Sequence, residues 1–499
     1  MIEKIIVFGG GTSGWLTAAY LTNNLPEQVK ICLIEDSKKG PIGVGEGTQP
    51  ATASFLYECG LQPHEWMPAS NATFKHGVKL EGWNDEPYFV DNDDPINYLA
   101  TPDLFANKHF ADKSYKEFLD WYPAYQLAEN NISPKLTKDL DCNFNTGPEG
   151  FGAVHFDAYK IIDCIKKLIL NRITYVDTEI VDIRSDVNGI SFLKDKEGTI
   201  YEADLYIDCT GFESLLLENE LKEEFISFKT WLPNDSAVAL QTQYTDPKTE
   251  CHPYTKATAM NAGWRWTIPV YDRIGNGYVY SSNFITPEEA EKELRDALGE
   301  YDAPAKHLKM KCGTHQRVAV KNVLAVGLSA GFVEPLEATG ITFTTSIVRA
   351  FVHFIQMSQG NWSDEVKDAI NQSYYGLNIE ILSFIFAHYF FSNKKDTMYW
   401  QAIRNKTLKD LPDDCINIIS TYYPYPKPIM FLTRQSMFSS VQWWSMIHAG
   451  GGYIDAEKNT PEEDMYLKYF IESKQKQTDL CKATFPNHYE FLQSWYEGK

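Results

Sequence analysis

Ile5-Ile6-Val7-Phe8, Gly9-Gly10-Gly11-Thr12-Ser13-Gly14 and Trp15-Leu16-Thr17-Ala18-Ala19-Tyr20-Leu21 follow one another at the head of the chain. The first run is apolar and too short for a buried helix, the second spaces its glycines G-x-G-x-x-G, and the third is a helix of small and apolar residues. Strand, glycine turn and helix in that order read as a dinucleotide fingerprint. Gly9 permits the tight turn, Gly11 lets backbone approach a pyrophosphate, and Gly14 lets the helix pack close to the strand. The helix N-terminus offers N–H groups to the anion. A second strand, Val29 to Ile34, ends at Glu35, about twenty residues on, where an acidic side chain suits a ribose hydroxyl. The expectation is an α/β chain whose first unit binds an adenine dinucleotide.

The totals bound the rest. At 499 residues and 43% apolar content the chain is long enough for a sizeable core and more than one domain. Its net charge of -21, from 67 acidic against 46 basic residues, comes with no Lys/Arg block, which argues against nucleic acid and against an anionic membrane. Nine cysteines are scattered without a C-x-x-C pair, a pattern of reduced core thiols in a cytoplasmic protein and not of a disulfide framework or a metal site. The most apolar later run, Leu382 to Phe391, is too short and too polar to span a bilayer.

Further along lies a second glycine-rich bend, Gly43-Val44-Gly45-Glu46-Gly47-Thr48, followed by Gln49-Pro50 and a helix over Ala51 to Tyr57. Lys75 to Trp83 alternates like a strand that puts Lys75, Gly77 and Lys79 on one face; taken alone, a lysine there reads as solvated. Residues 84 to 150 lose periodicity and read as an insertion with long loops. Phe156-Asp157 caps a helix with Ile161, Ile165, Leu168 and Ile169 on its apolar side. Ile190 to Leu193 and Thr199 to Tyr201 form a hairpin, and Leu205-Tyr206-Ile207 leads into a turn at Asp208 to Gly211 that returns to the first glycine loop. Ala237 to Tyr244 and Gly263 to Val270 read as strands of a second, antiparallel sheet, with Gly275-Asn276-Gly277 turning into Tyr278 to Tyr280. Thr286-Pro287-Glu288-Glu289 is a capping box. Val323 to Val326, then Gly327, is another buried parallel strand, connected through Gly331 to Gly340 to a long helix. From about residue 361 aromatic-rich helices predominate, Trp443 and Trp444 among them, and such stripes are more often core than ligand box.

In combination these segments resemble the flavin-dependent halogenases of the tryptophan halogenase type. The resemblance runs through G-G-G-T-S-G-W at Gly9 to Trp15, G-V-G-E-G-T at Gly43 to Thr48, Lys79, W-x-W-x-I-P at Trp264 to Pro269, and F-V-E-P-L-E-A-T-G at Phe332 to Gly340. His388-Tyr389, Asp396-Thr397 and Trp400 continue it. One departure is Leu328, where family members often carry Asn after the glycine.

The resemblance implies a Rossmann-like FAD fold of the hydroxybenzoate-hydroxylase kind, with a second antiparallel sheet. It implies an FAD-binding module over residues 1–360, with substrate-side insertions at about 84–150 and 230–300, and a mainly helical substrate module over 361–499. The implied FAD site comprises Gly9, Gly11, Thr12, Ser13, Gly14, Glu35, Gly45, Gly47, Gly327 and Gly340. FADH2 from a separate flavin reductase would react with O2 and a halide ion to give hypohalous acid, which moves to a separate chamber holding a small aromatic substrate. Thr339 and Gly340, at a helix start, would bind the halide. Lys79 would polarise the hypohalous acid or become a haloamine, and Glu337 would orient that species and stabilise or deprotonate the cationic ring intermediate. Trp264 and Trp266 would keep substrate from flavin, with plain sheet core as the alternative reading of the pair. Two other readings stay open: a single-component FAD monooxygenase, and a flavin-binding interaction protein without chemistry. Substrate, halide and oligomeric state stay open too.

Overall fold

The computed structural model describes the whole chain except residues 41–45, 93–109, 111–112, 138–139, 142–151, 300, 424–436, 453–459 and 499. Its contacts divide into two compact units, each assembled from three stretches. The first takes Met1–Asn71, Phe156–Thr230 and Met310–Asn378; the second takes Ala72–His155, Trp231–Lys309 and Ile379–Lys499.

The first unit is built on a six-stranded sheet in the order Thr174–Asp177, Lys30–Glu35, Lys4–Phe8, Leu205–Asp208, Val323–Ala325, Ala319–Val320. The first five strands run parallel, and the last is an antiparallel hairpin partner. A parallel sheet is covered on both faces, which is why Ile5, Ile6 and Val7 carry no polar alternation and are fully buried. The helix Thr12–Asn24 packs over this sheet. Asp157 caps the helix Ala158–Ile169 by accepting from the N–H groups of Tyr159 and Lys160, and Ile161, Ile165 and Ile169 form its buried stripe. The hairpin Gly189–Asp195 with Ile200–Tyr201 gains an outer strand, Ile180–Asp186, that alternation did not announce. The helix Gly340–Met357 buries Ile347, Val348, Phe351 and Ile355.

In the second unit a seven-stranded sheet runs in the order Lys306–Lys309, Ser236–Thr242, Arg273–Tyr280, Gly263–Val270, Tyr254–Met260, Gly77–Glu81, Tyr88–Asp91. Only the pair Tyr254–Met260 with Gly77–Glu81 is parallel. Two expectations change here. Gly275-Asn276-Gly277 is not a turn: the strand Arg273–Tyr280 passes straight through it, and the reversal comes earlier, with Val270 opposite Arg273. The reason is space, since a Cβ at Gly277 would lie 1.9 Å from the ring of Trp266. Nor is Lys75 to Trp83 one strand. Thr73–Lys75 pairs with residues 153–155, the chain breaks at His76, and Gly77–Glu81 joins the large sheet.

The aromatic helices of this unit are core. Trp443 stacks on Tyr422 with centroids 4.6 Å apart, and Trp444 stacks on His448 at 4.7 Å. Among the described residues no helix is long and apolar enough to cross a membrane.

Candidate functional site

The first unit gathers most of the expected FAD residues. Gly9 has φ +117°, and a Cβ there would lie 2.2 Å from the carbonyl oxygen of Cys209, so the turn after the Leu205–Asp208 strand does press on the first glycine. Asp208 locks that turn by accepting from the N–H groups of Thr210, Leu216 and Leu217. A Cβ on Gly14 would meet the Gly9 carbonyl oxygen at 1.8 Å, the close approach its spacing announced. Gly11 differs: a Cβ would meet nothing within 4 Å, and it begins the helix without a side-chain cap. Thr12 opens the first turn. Uncapped N–H groups beside an open glycine make a cradle for a phosphate anion, so these residues fit a dinucleotide.

Ser13 and Glu35 have structural partners as well. The Ser13 hydroxyl lies 2.8 Å from that of Thr344, and a Cβ on Gly327, whose φ is +69°, would sit 2.1 Å from Ser13 Oγ. Glu35 Oε1 accepts from the Tyr175 hydroxyl at 2.7 Å and from Lys166 Nζ at 3.2 Å, while Trp15 Nε1 donates to Oε2 at 3.4 Å. A carboxylate has about four acceptor positions, so a ribose hydroxyl can still be met. Ser329 Oγ, in the same short turn as Leu328, donates to the Gly211 carbonyl. Gly47 lies in the short strand Glu46–Gly47. Gly45 lies outside the described residues, as do Gly43 and Val44.

Glu337 ends a short 3-10 turn and is fully buried, as is Glu334. Ala338 then adopts the left-handed conformation at φ +56°, and Thr339 precedes the helix Gly340–Met357. The Thr339 hydroxyl is buried with no hydrogen-bond partner among the described residues, and a Cβ on Gly340 would meet nothing within 4 Å. Unsatisfied first-turn N–H groups, the positive end of an 18-residue helix and an orphaned hydroxyl suit a small anion. One neighbour escaped sequence reasoning: Gln49 Nε2 donates to the main-chain carbonyl of Glu337 at 2.6 Å. A polar side chain directly after a glycine bend was the available signal.

Lys79, in the second unit, is not solvated. Its Nζ donates to Glu129 Oε1 and Oε2 at 3.0 and 2.9 Å and stands 3.2 Å from Glu81, with the rings of Tyr125 and Tyr254 at 5.9 and 5.8 Å. Burial works against the charge, but the hydrogen bonds and charge of Glu129, with Glu81 behind them, raise its pKa above the ordinary lysine value. Lys75, at the end of the strand Thr73–Lys75, is deeper, at 1% exposure against 9% for Lys79. Burial first, and the charge of Lys75 second, hold His155 well below the usual histidine value. Trp264 and Trp266 are buried, with ring centroids 6.4 Å apart in an edge-on pair.

The tryptophan halogenase family profile matches residues 4–463. The chain belongs to the tryptophan halogenase family. The 7-chloro-L-tryptophan 6-halogenase KtzR of Kutzneria sp. (strain 744) is 32% identical over 521 residues, covering 98% of each chain. The tryptophan 6-halogenase SttH of Streptomyces toxytricini is 33% identical over 436 residues, covering 82% of each. Among solved structures, a tryptophan C-6 flavin-dependent chlorinase from taromycin biosynthesis superposes with a TM-score of 0.86 at 30% identity and 99% coverage of both chains. Membership of the tryptophan halogenase family makes the chain one of a group of flavin-dependent halogenating enzymes, and its α/β core with an added antiparallel sheet and C-terminal helices is the expected fold. Flavin dependence of this tryptophan halogenase family implies FAD as the cofactor.

Proposed function

We infer that the protein is a two-component halogenase: it takes reduced FAD from a separate reductase, uses dioxygen and a halide ion, and halogenates an electron-rich aromatic, tryptophan or a related indole first among them. The observation that carries this reading is the Thr339–Gly340 helix start, with its orphaned buried hydroxyl beside buried Glu337, in the same unit as the open cradle at Gly11. The relatives named above act on tryptophan or chlorotryptophan, which supports the substrate class.

FAD would be held by the Gly9–Gly14 loop, Glu35, Gly47 and the Gly327 turn, and Gly45 is proposed with them. Bound there in reduced form, it supplies with dioxygen the oxidation that turns halide into an electrophile. The chain's own residues do the remainder. Backbone N–H groups of Thr339 and Gly340 hold the halide without offering it a proton. Glu337 orients the electrophile and takes the ring proton. A lysine of the 75–79 segment donates a hydrogen bond that aims the oxidant. Lys79 was the residue the motif comparison singled out, but a cation already held by two carboxylates is poorly placed to serve a second acceptor or to lose its proton. The deeper burial of Lys75 favours it for the role. Trp264 and Trp266 are proposed as the partition that keeps the aromatic from the flavin.

The test is a reconstitution with purified protein, FAD, NADH and bromide. No NADH oxidation is expected until a flavin reductase is added, and then hypohalous acid should brominate a diffusible β-diketone. Steady NADH oxidation by the protein alone contradicts the two-component reading.

A further inference from the structure

The bend at residues 46–50 reaches the turn that carries Glu337. Gln49 is 5% exposed, and its side-chain amide donates to the carbonyl oxygen of Glu337, which is fully buried. The residue that follows, Ala338, sits at φ +56° and ψ 40°, a conformation that costs a non-glycine residue about 1–2 kcal/mol. A strained peptide persists only where its surroundings hold it. Here a holder is visible: rotating the Glu337–Ala338 peptide to relieve Ala338 would swing the Glu337 carbonyl off the Gln49 amide and break that buried hydrogen bond.

Gln49 is itself presented from a firm base. Its carbonyl accepts from the Thr52 N–H at 3.0 Å, and the helix Ala51–Glu58 starts two residues on. That helix is tied to Gly340–Met357 by Arg349, whose guanidinium donates to both oxygens of Glu58 at 3.0 and 2.8 Å and to Ser54 Oγ at 2.9 Å. The 49–58 segment therefore grips the other segment twice, once at the turn before its helix and once on the helix's third turn. Residues held this way keep a site within a fraction of an ångström of its working geometry.

We propose that Gln49 is a positioning residue for the halide-binding turn: by fixing the Glu337–Ala338 peptide it aims the Glu337 carboxylate and the N–H groups of Thr339 and Gly340, and so sets halide affinity. The proposal rests on the halogenase reading above. It assigns Gln49 no contact with substrate or flavin.

Gln49→Met keeps the length and apolar stem of the side chain and removes the donor. In flavin-free protein, hydrogen–deuterium exchange at Ala338 to Ile341 should rise about tenfold, while exchange over Gly9 to Leu21 stays at the wild-type rate. In the reconstituted enzyme the KM for bromide should rise about tenfold with kcat falling less than threefold, FAD affinity should hold, and Tm should fall by only a few degrees. Wild-type exchange at Ala338 to Ile341 together with a wild-type bromide KM overturns the proposal. So does a loss confined to Tm and FAD affinity with the bromide KM unmoved. If wild-type protein forms no halogenated product at all, the halogenase reading falls, and the exchange arm still decides whether Gln49 holds the turn.

Discussion

The hydroxyls of Ser13 and Thr344 stand 2.8 Å apart, joining the first turn of the opening helix to the second turn of the helix behind Glu337 across 331 residues of sequence. The joint leaves no room for a side chain at Gly327. Gly327→Ala would set a Cβ 2.1 Å from Ser13 Oγ at a φ of +69°. The expected result is a loss of about 2–3 kcal/mol in urea unfolding and weaker FAD binding. Ser13→Ala should cost only about 1 kcal/mol. Equal stability of Gly327→Ala and wild type would show that the joint is not close-packed.

The glycines of the first loop should separate into two kinds. Gly11→Ala meets open space at φ -73° and should leave unfolding free energy within about 0.5 kcal/mol of wild type while weakening FAD binding. Gly9→Ala places a Cβ 2.2 Å from the Cys209 carbonyl at φ +117° and should destabilise by about 3 kcal/mol or more. Thermal denaturation and flavin fluorescence titration read the two effects apart.

The two lysines of the 75–79 segment should behave differently. Lys75→Ala should lower aryl halide formation roughly 100-fold or more while hypohalous acid is still formed and trapped. Lys79→Ala removes the cation shared by Glu129 and Glu81 and leaves Glu81 only Lys256 at 3.7 Å, so it should lower stability by about 1–2 kcal/mol and change turnover only a few-fold. Loss of product in Lys79→Ala at unchanged Tm would return the relay to Lys79.

His488 gives the second unit an acid-sensitive joint. The Phe74 N–H donates to its Nε2 at 3.1 Å, so Nδ1 carries the proton and donates to the Cys251 carbonyl at 2.9 Å. Burial pushes its pKa down to about 3. The folded state therefore binds less proton than the unfolded one, whose histidine titrates near 6.5. The stability that His488 contributes is whole above pH ~6.5 and is lost as pH falls toward 3. His488→Gln should flatten the slope of unfolding free energy between pH 6 and 4; an unchanged slope contradicts this origin.

What the amino-acid order disclosed was what a few neighbouring residues decide. Gly9 and Gly14 announce themselves because a positive φ and a close approach inside one turn require them, and the caps at Asp157 and Thr286 are equally local. Contacts made across long intervals were hidden. Glu129 gives Lys79 its partner from 50 residues away, and Gln49 meets Glu337 across 288. The Gly275–Gly277 segment misled for a related reason: glycine there clears space for Trp266, a demand set by the neighbouring strand and invisible in local spacing.

The most direct test is the mass spectrum of the product when wild-type protein, a flavin reductase, NADH, FAD, air and chloride are incubated with tryptophan and simple indoles. A product bearing the chlorine isotope doublet, absent from the Glu337→Gln reaction, is the predicted result. A hydroxylated aromatic, or the same chlorinated yield from Glu337→Gln, would contradict the account.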